Sequence, residues 1–294
     1  LKKRLLADGS YEELPQGTAN DPNACVFEKM VPGTEEALAP ATRGRGSYLL
    51  LNFYKENAHP LIDVYEGKIS LDEFTAQLDN DDLIHLLGGQ PNTSVANTYG
   101  YGNLPEYGVP NIMTADGPAG LRITPQCEVC TTAWPCATLL ASTWNPALVE
   151  QVGTAGAEEV KENNIAVWLT PAVNIHRNPL CGRNFEYYSE DPFLSGKMAA
   201  AVVRGVQEEG TCGAVIKHFA CNNQEDNRMG VDVHISERAL REIYLRGFEI
   251  AVKESAPVAI MTSYNRVNGV HAANSRALCT VIAREEWGFD GVLM

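Results

Sequence analysis

Ala214-Val215-Ile216-Lys217-His218 is a short apolar run that stops at two titratable side chains, and the chain around it repeats that pattern. Upstream lies Ile165-Ala166-Val167-Trp168-Leu169-Thr170, and downstream Val258-Ala259-Ile260-Met261-Thr262. Neither run alternates apolar with polar residues, so both read as strands buried on both faces. Between the runs sit longer segments of helical character: 147–163, 191–209, 236–254 and 275–287. In the segment over 236–254, Ser236 is placed as an N-cap and Ala239, Leu240, Ile243 and Phe248 lie along one face. Asn111-Ile112-Met113-Thr114-Ala115-Asp116 extends the series at its start, and Gly291 to Met294 begins another strand.

Alternating strand and helix predicts an α/β fold with a parallel sheet, either doubly wound or closed as a (β/α)8 barrel. The predicted strands end in Asp116, Asn174, Lys217-His218 and Tyr264. Polar side chains at the carboxyl ends of several strands favour the barrel, whose sites are built there. Pro110 to Met294 falls short of the roughly 250 residues of a typical barrel, so the prediction is an incomplete (β/α)8 TIM-like barrel.

Ahead of the barrel, prolines at 15, 22, 32, 40 and 60 interrupt every candidate element. Residues 1–64 therefore read as an irregular linker or the tail of a preceding domain, and 65–294 as the barrel domain. Within the latter, Ser70 and Glu73 form a capping-box signal before Leu71, Phe74 and Leu78. A second helix is predicted over 81–87, stopped by Gly88-Gly89, and 90–108 reads as loop. Both ends of the chain read as cuts, since it has no initiating Met and stops inside an apolar run.

The net charge of -14 disfavours a phosphate-backbone partner, leaving neutral solutes such as sugars open. No apolar run approaches the ~20 residues of a bilayer span. The eight cysteines are too sparse for a disulfide scaffold and read as free thiols of a cytoplasmic protein, although secretion stays open. Cys127, Cys130 and Cys136 lack a fourth ligand for structural zinc, and no phosphate loop is present. Neither metal nor cofactor is implied.

Four segments carry chemistry. In Asp116-Gly117-Pro118-Ala119-Gly120-Leu121-Arg122, the carboxylate either caps a turn or accepts hydrogen bonds from sugar hydroxyls. The stretch Asn174 to Pro192 packs His176, Arg177, Arg183, Glu186, Glu190 and Asp191 among apolar residues. It reads as a structured ion-pair network, with one arginine facing a ligand and the rest acting as scaffold. Lys217 and His218, adjacent on a strand, would point to opposite faces, so a shared site requires a break in the pleat. Otherwise His218 is a satisfied core histidine. Tyr264, within Ser263-Tyr264-Asn265-Arg266-Val267-Asn268-Gly269, serves packing or lends its hydroxyl to the site.

The order of Asp-Gly-Pro-x-Gly-Leu-Arg, Gly-Arg-Asn-Phe-Glu with Ser-Glu-Asp-Pro, Lys-His-Phe, and Ser-Tyr-Asn-x-x-Asn-Gly resembles the barrel domain of glycoside hydrolase family 3, over residues 65–294. The resemblance implies that Asp116, Arg122, Arg183, Lys217, His218, Met261 and Tyr264 bind substrate, most of them lining the glycone pocket. It also implies a cis peptide between Lys217 and His218, which would resolve the two-faces conflict. Hydrolysis would proceed with retention, releasing terminal non-reducing β-D-glucosyl residues from β-glucosides or cello-oligosaccharides. The family's nucleophile follows a strand like Gly288-Phe289-Asp290-Gly291-Val292-Leu293-Met294. It is expected just after Met294, so no catalytic residue is assigned within the chain, and Asp290 reads as structural. The acid/base is expected from an α/β sandwich domain of the same parent protein. Asp116 and Lys-His-Phe-Ala-Cys-Asn-Asn favour β-glucosidase. A β-xylosidase or mixed-specificity enzyme, and a non-catalytic carbohydrate-binding protein, are the alternatives.

Overall fold

The computed structural model describes residues 3–5, 11–13, 55 and 57–294, arranged as two compact units. The prolines between 15 and 40 lie outside the described residues. The first unit comprises Leu1–Ala115, Arg122–Thr131 and Lys161–Ala166. In it, β1 (Lys3–Leu5) pairs antiparallel with β2 (Tyr11–Glu13). Three short helices follow: α1 (Leu61–Tyr65), α2 (Leu71–Ala76) and α3 (Asn80–Leu86). The predicted capping box is present at α2, where Ser70 Oγ accepts from Glu73 N and Glu73 accepts from Ser70 N. Asp79 and Asp82 cap α3 in the same way, starting it a residue earlier than predicted. Phe74 packs edge-on against Tyr107 at 6.4 Å between ring centroids, and with Leu104 they form a small core.

The predicted loop over 90–108 is a correction. Residues Gly100–Leu104 form strand β3, paired antiparallel with β4 (Val109–Ala115), and Pro105–Tyr107 is a 3-10 turn. Glycines concealed the strand, because their usual reading is turn. Here Gly100 is needed for close pairing: a Cβ there would lie 2.0 Å from Asn111 Oδ1.

The second unit comprises Asp116–Leu121, Thr132–Val160 and Val167–Met294. It holds α4 (Ala137–Ser142), α5 (Pro146–Glu162, its last residues belonging to the first unit), β5 (Val167–Trp168), α6 (Pro192–Gln207) and β6 (Gly213–Phe219). Then come β7 (Asp232–Val233), α7 (Arg246–Ser255), β8 (Ala259–Thr262), β9 (Arg266–Val267), β10 (Val270–His271) and β11 (Val292–Leu293). Strands β5, β6, β8 and β11 run parallel and lie side by side in chain order, without reversal. A doubly wound sheet reverses its strand order at a switch point, whereas a barrel adds each strand beside the last. The winding therefore decides for the barrel.

Every residue of β6 is buried, the titratable Lys217 and His218 included. Two helices depart from α geometry. Leu240–Tyr244 forms a π turn ahead of α7, and Ala277–Glu286 is π-helical. Ser236 caps its helix as predicted, accepting from Ala239 N at 3.3 Å. Strands β7, β9 and β10 form a small separate sheet beyond β6 and β8. No helix among the described residues is long and apolar enough to cross a membrane.

Candidate sugar-binding site

Lys217 is the most deeply buried charge of the second unit, 1% exposed near the end of β6. Its Nζ donates to Asp116 Oδ1. Burial pulls the ammonium below its ordinary 10.5, while the charges of Asp116 and Glu186 work to hold its proton. Asp116 is fixed from the other side by its own turn. Trp168, 2% exposed, donates its indole N–H to Gly117 O at 3.1 Å. The ring comes that close to α5 because residue 156 is glycine: a Cβ there would stand 2.3 Å from Trp168 Cζ3. The Asp116 carboxylate is thus held by Lys217, while the turn that follows it is pinned by Trp168.

The Lys217–His218 peptide is cis, as the resemblance implies, and so is Phe219–Ala220. Asn174, buried beyond β5, holds the His218 backbone on both sides: its Oδ1 accepts from His218 N at 2.8 Å and its Nδ2 donates to His218 O at 2.9 Å. The imidazole is 6% exposed, and Tyr187 meets it edge-on at 6.4 Å. Burial, followed by the positive charges of Lys217, Arg183 and Arg228, holds its pKa well below the usual 6.5. His218 is therefore neutral at pH 7, and its Nδ1 has no hydrogen-bond partner among the described residues. That atom sets His218 apart from a core histidine whose ring nitrogens are both satisfied by the described residues.

Met261 of β8 stands in register beside Lys217. The chain then turns at Ser263, whose hydroxyl donates to Ala220 O at 2.8 Å, and Asn265 Nδ2 donates to the same carbonyl at 3.1 Å. Between these two anchored residues Tyr264 projects outward, 55% exposed. Arg228 lies over its ring at 5.3 Å.

The loop after Asn174 is the structured network its composition predicts. His176 Nε2 faces both Asn184 O (2.9 Å) and Tyr187 O (2.8 Å), which assigns the ring proton to Nε2. Arg183 pairs with Glu186, itself 2% exposed, whereas Arg177 is exposed. Asp191 of the Ser-Glu-Asp-Pro motif caps α6, accepting from Phe193 N at 2.8 Å, so that motif is a helix start.

The second unit therefore gathers Asp116, Lys217 and Met261 directly, with Arg183, Glu186 and His218 close enough to act on one another's charge. Arg122 is exposed and belongs to the first unit. Sequence reasoning missed the support of Tyr187, Asn222, Glu225 and Arg228. Burial pushes the Tyr187 phenol up, keeping it a proton donor, and it donates to Asn222 O at 3.1 Å. The only sequence signal was a polar, charged stretch, Glu225 to Arg228, separated by five residues from the Lys-His-Phe motif.

The pattern described as the glycosyl hydrolase family 3 N terminal domain matches residues 101–294. The chain belongs to that family. Among family members, beta-glucosidase A of Butyrivibrio fibrisolvens is 55% identical over the whole of this chain, which spans 36% of that protein's length. An exo-alpha-(1->6)-L-arabinopyranosidase of Bifidobacterium longum is 51% identical over 64% of the chain, corresponding to 26% of its own. The structure of beta-glucosidase 3B from Thermotoga neapolitana in complex with α-D-glucose superposes with a TM-score of 0.72 at 51% identity, covering 77% of this chain and 33% of that one. The parallel strands of the second unit and the helices between them are accordingly those of an incomplete family 3 α/β barrel.

Proposed function

We propose that the whole protein is a retaining β-glucosidase and that this chain supplies most of its glycone pocket. The observation that carries the reading is the adjacent pair on β6. Lys217, buried and bound to a carboxylate, stands next to a neutral His218 whose buried Nδ1 lacks a partner among the described residues. A buried polar atom without a partner costs about 1–3 kcal/mol, and a sugar hydroxyl supplies both donor and acceptor. The Asp116 carboxylate and the Lys217 ammonium then complement vicinal hydroxyls with charge-assisted bonds, which are directional enough to read sugar stereochemistry.

Asp116 favours glucose as the glycone, since a 6-hydroxyl needs an acceptor that a pentose does not. The Bifidobacterium relative shows that identity near one half does not by itself fix the glycone. Family 3 chemistry passes through a glycosyl-enzyme formed on a carboxylate, followed by attack of water. Neither the nucleophile nor the acid/base is assigned to a residue of this chain. Asp290 is exposed at the entry to β11, a structural position.

The test is hydrolysis of 4-nitrophenyl β-glucoside by the whole protein, with the anomer of the first-formed glucose followed by NMR. We expect β-glucose and faster turnover than on the β-xyloside or α-L-arabinopyranoside. Preference for a pentoside would overturn the glucose assignment. Absence of both turnover and glucose binding would overturn the sugar site.

A further inference from the structure

Glu225 lies outside the glycone set, yet two lines of contact run from it. Its Oε1 accepts from Asn222 Nδ2 at 3.1 Å, and that amide also reaches Tyr187 OH at 3.0 Å. Tyr187, fully buried, sets its ring against His218. On the other side, Glu225 Oε2 accepts from Arg228 Nη1 at 2.7 Å, and Arg228 lies over the Tyr264 ring. Tyr264 has over half its surface in solvent, so packing alone does not hold it. Its backbone neighbours Ser263 and Asn265 are anchored to Ala220 O, which leaves the ring's swing as the remaining freedom, and Arg228 covers that ring.

We infer that Glu225 is a positioning residue that sets the distance between His218 and Tyr264, through Asn222–Tyr187 on one side and Arg228 on the other. This rests on the sugar-site reading above. A carboxylate suits this role because it has two oxygens. Each is committed to a different branch, so neither branch moves without straining the other. An arginine unpaired with a carboxylate would be drawn into water and leave the aromatic face, because a solvated cation over an exposed ring is held only weakly. Glu225 keeps it there. Glu225 touches no sugar in this arrangement, and its effect is on where two other side chains stand when the substrate distorts toward its transition state. A misplacement of about 1 Å at such contacts costs on the order of 100-fold in rate.

The whole protein is measured on 4-nitrophenyl β-glucoside as wild type, Glu225→Ala, Glu225→Gln, Arg228→Met and the double variant Glu225→Ala/Arg228→Met. Thermal unfolding is followed alongside. Glu225→Ala and Arg228→Met are each expected to lower kcat by about 10- to 100-fold, with KM changed less than about threefold. Glu225→Gln keeps one acceptor oxygen and so serves one branch at most, and should lose kcat much as Arg228→Met does, with KM again little changed. The double variant should be no worse than the poorer single one, since both break one linkage. Multiplicative losses, unchanged kcat in Glu225→Ala, or losses that simply follow melting temperature would each overturn the assignment. If Glu225→Ala does not fold, Glu225→Gln against Arg228→Met decides, through the same kcat and KM comparison. Failure of wild type to turn over the glucoside or bind glucose overturns the underlying site as well, whereas active wild type with unaffected variants overturns only the positioning role.

Discussion

Replacing Asp116 by asparagine keeps the shape of the side chain and deletes its charge, leaving Lys217 1% exposed beside a neutral amide. Glu186 is the remaining carboxylate that acts on Lys217, and it is engaged by Arg183. Losing one member of a buried pair costs about 3–5 kcal/mol. Asparagine oxygen still accepts a bond from the ammonium, and the Asp116 side chain is 22% exposed, so part of the pair's attraction is already screened by solvent. The expected loss is therefore about 2–4 kcal/mol. An upper bound comes from proton release. Keeping a lysine neutral at pH 7 against its ordinary 10.5 costs about 5 kcal/mol, at 1.36 per unit, and no penalty for the buried ammonium can exceed that. Urea unfolding of wild type and Asp116→Asn at pH 7 measures the difference directly. The same variant exchanges a charged acceptor for a neutral one toward the sugar, a change of about 1–2 kcal/mol, or roughly 5- to 30-fold in kcat/KM on the β-glucoside. The β-xyloside should suffer less, so the glucoside-to-xyloside ratio falls. Stability within about 0.5 kcal/mol of wild type would show that Lys217 does not depend on Asp116. An unchanged ratio would refute the hydroxyl-reading role.

Three further outcomes are expected. Because the folded state holds His218 well below 6.5, the unfolded chain binds the extra proton first as pH falls. Stability is then lost below about pH 6.5 at up to ~1.4 kcal/mol per unit, until the folded pKa is reached, and His218→Asn should remove that share of the slope in urea titrations at pH 7 and 5.5. Gly156→Ala sets a methyl 2.3 Å from the Trp168 ring and should cost about 1–3 kcal/mol in unfolding. It should also weaken glucose binding, because the displaced indole is the group that pins Gly117. Ser70→Ala removes a capping box from α2 and should destabilise the first unit by about 1 kcal/mol with no effect on sugar binding, as calorimetry and glucose titration together would show.

The order of the main parallel strands and long helices was legible from the chain alone, whereas the short helix Ala137–Ser142 and the small sheet of β7, β9 and β10 were not. A strand buried on both faces has little room for polar side chains and advertises itself as an apolar run. Val215, Ile216, Ala259 and Ile260 are all fully buried for that reason. Capping at Ser70, Asp191 and Ser236 was local too, since the donors being satisfied lie within three residues. The motif order also identified the family and named most of the residues now found together.

Other features needed the folded chain. Winding order separates a barrel from a doubly wound sheet, and it depends on which strands become neighbours, a choice the apolar pattern leaves equal. The strand at Gly100–Leu104 was hidden because glycine reads as turn locally, while the partner that demands it, Asn111, is set by pairing. Asp116 and Lys217 are 101 positions apart, and nothing in either segment states that the lysine's burial is tolerated by that carboxylate. Glu225 is the clearest case. Its sequence surroundings suggest a solvated charged loop, and only the tertiary structure turns its two oxygens toward Asn222 and Arg228. Local backbone preferences and burial are written residue by residue, but the pairing of distant charges is decided by the fold that brings them within hydrogen-bond reach.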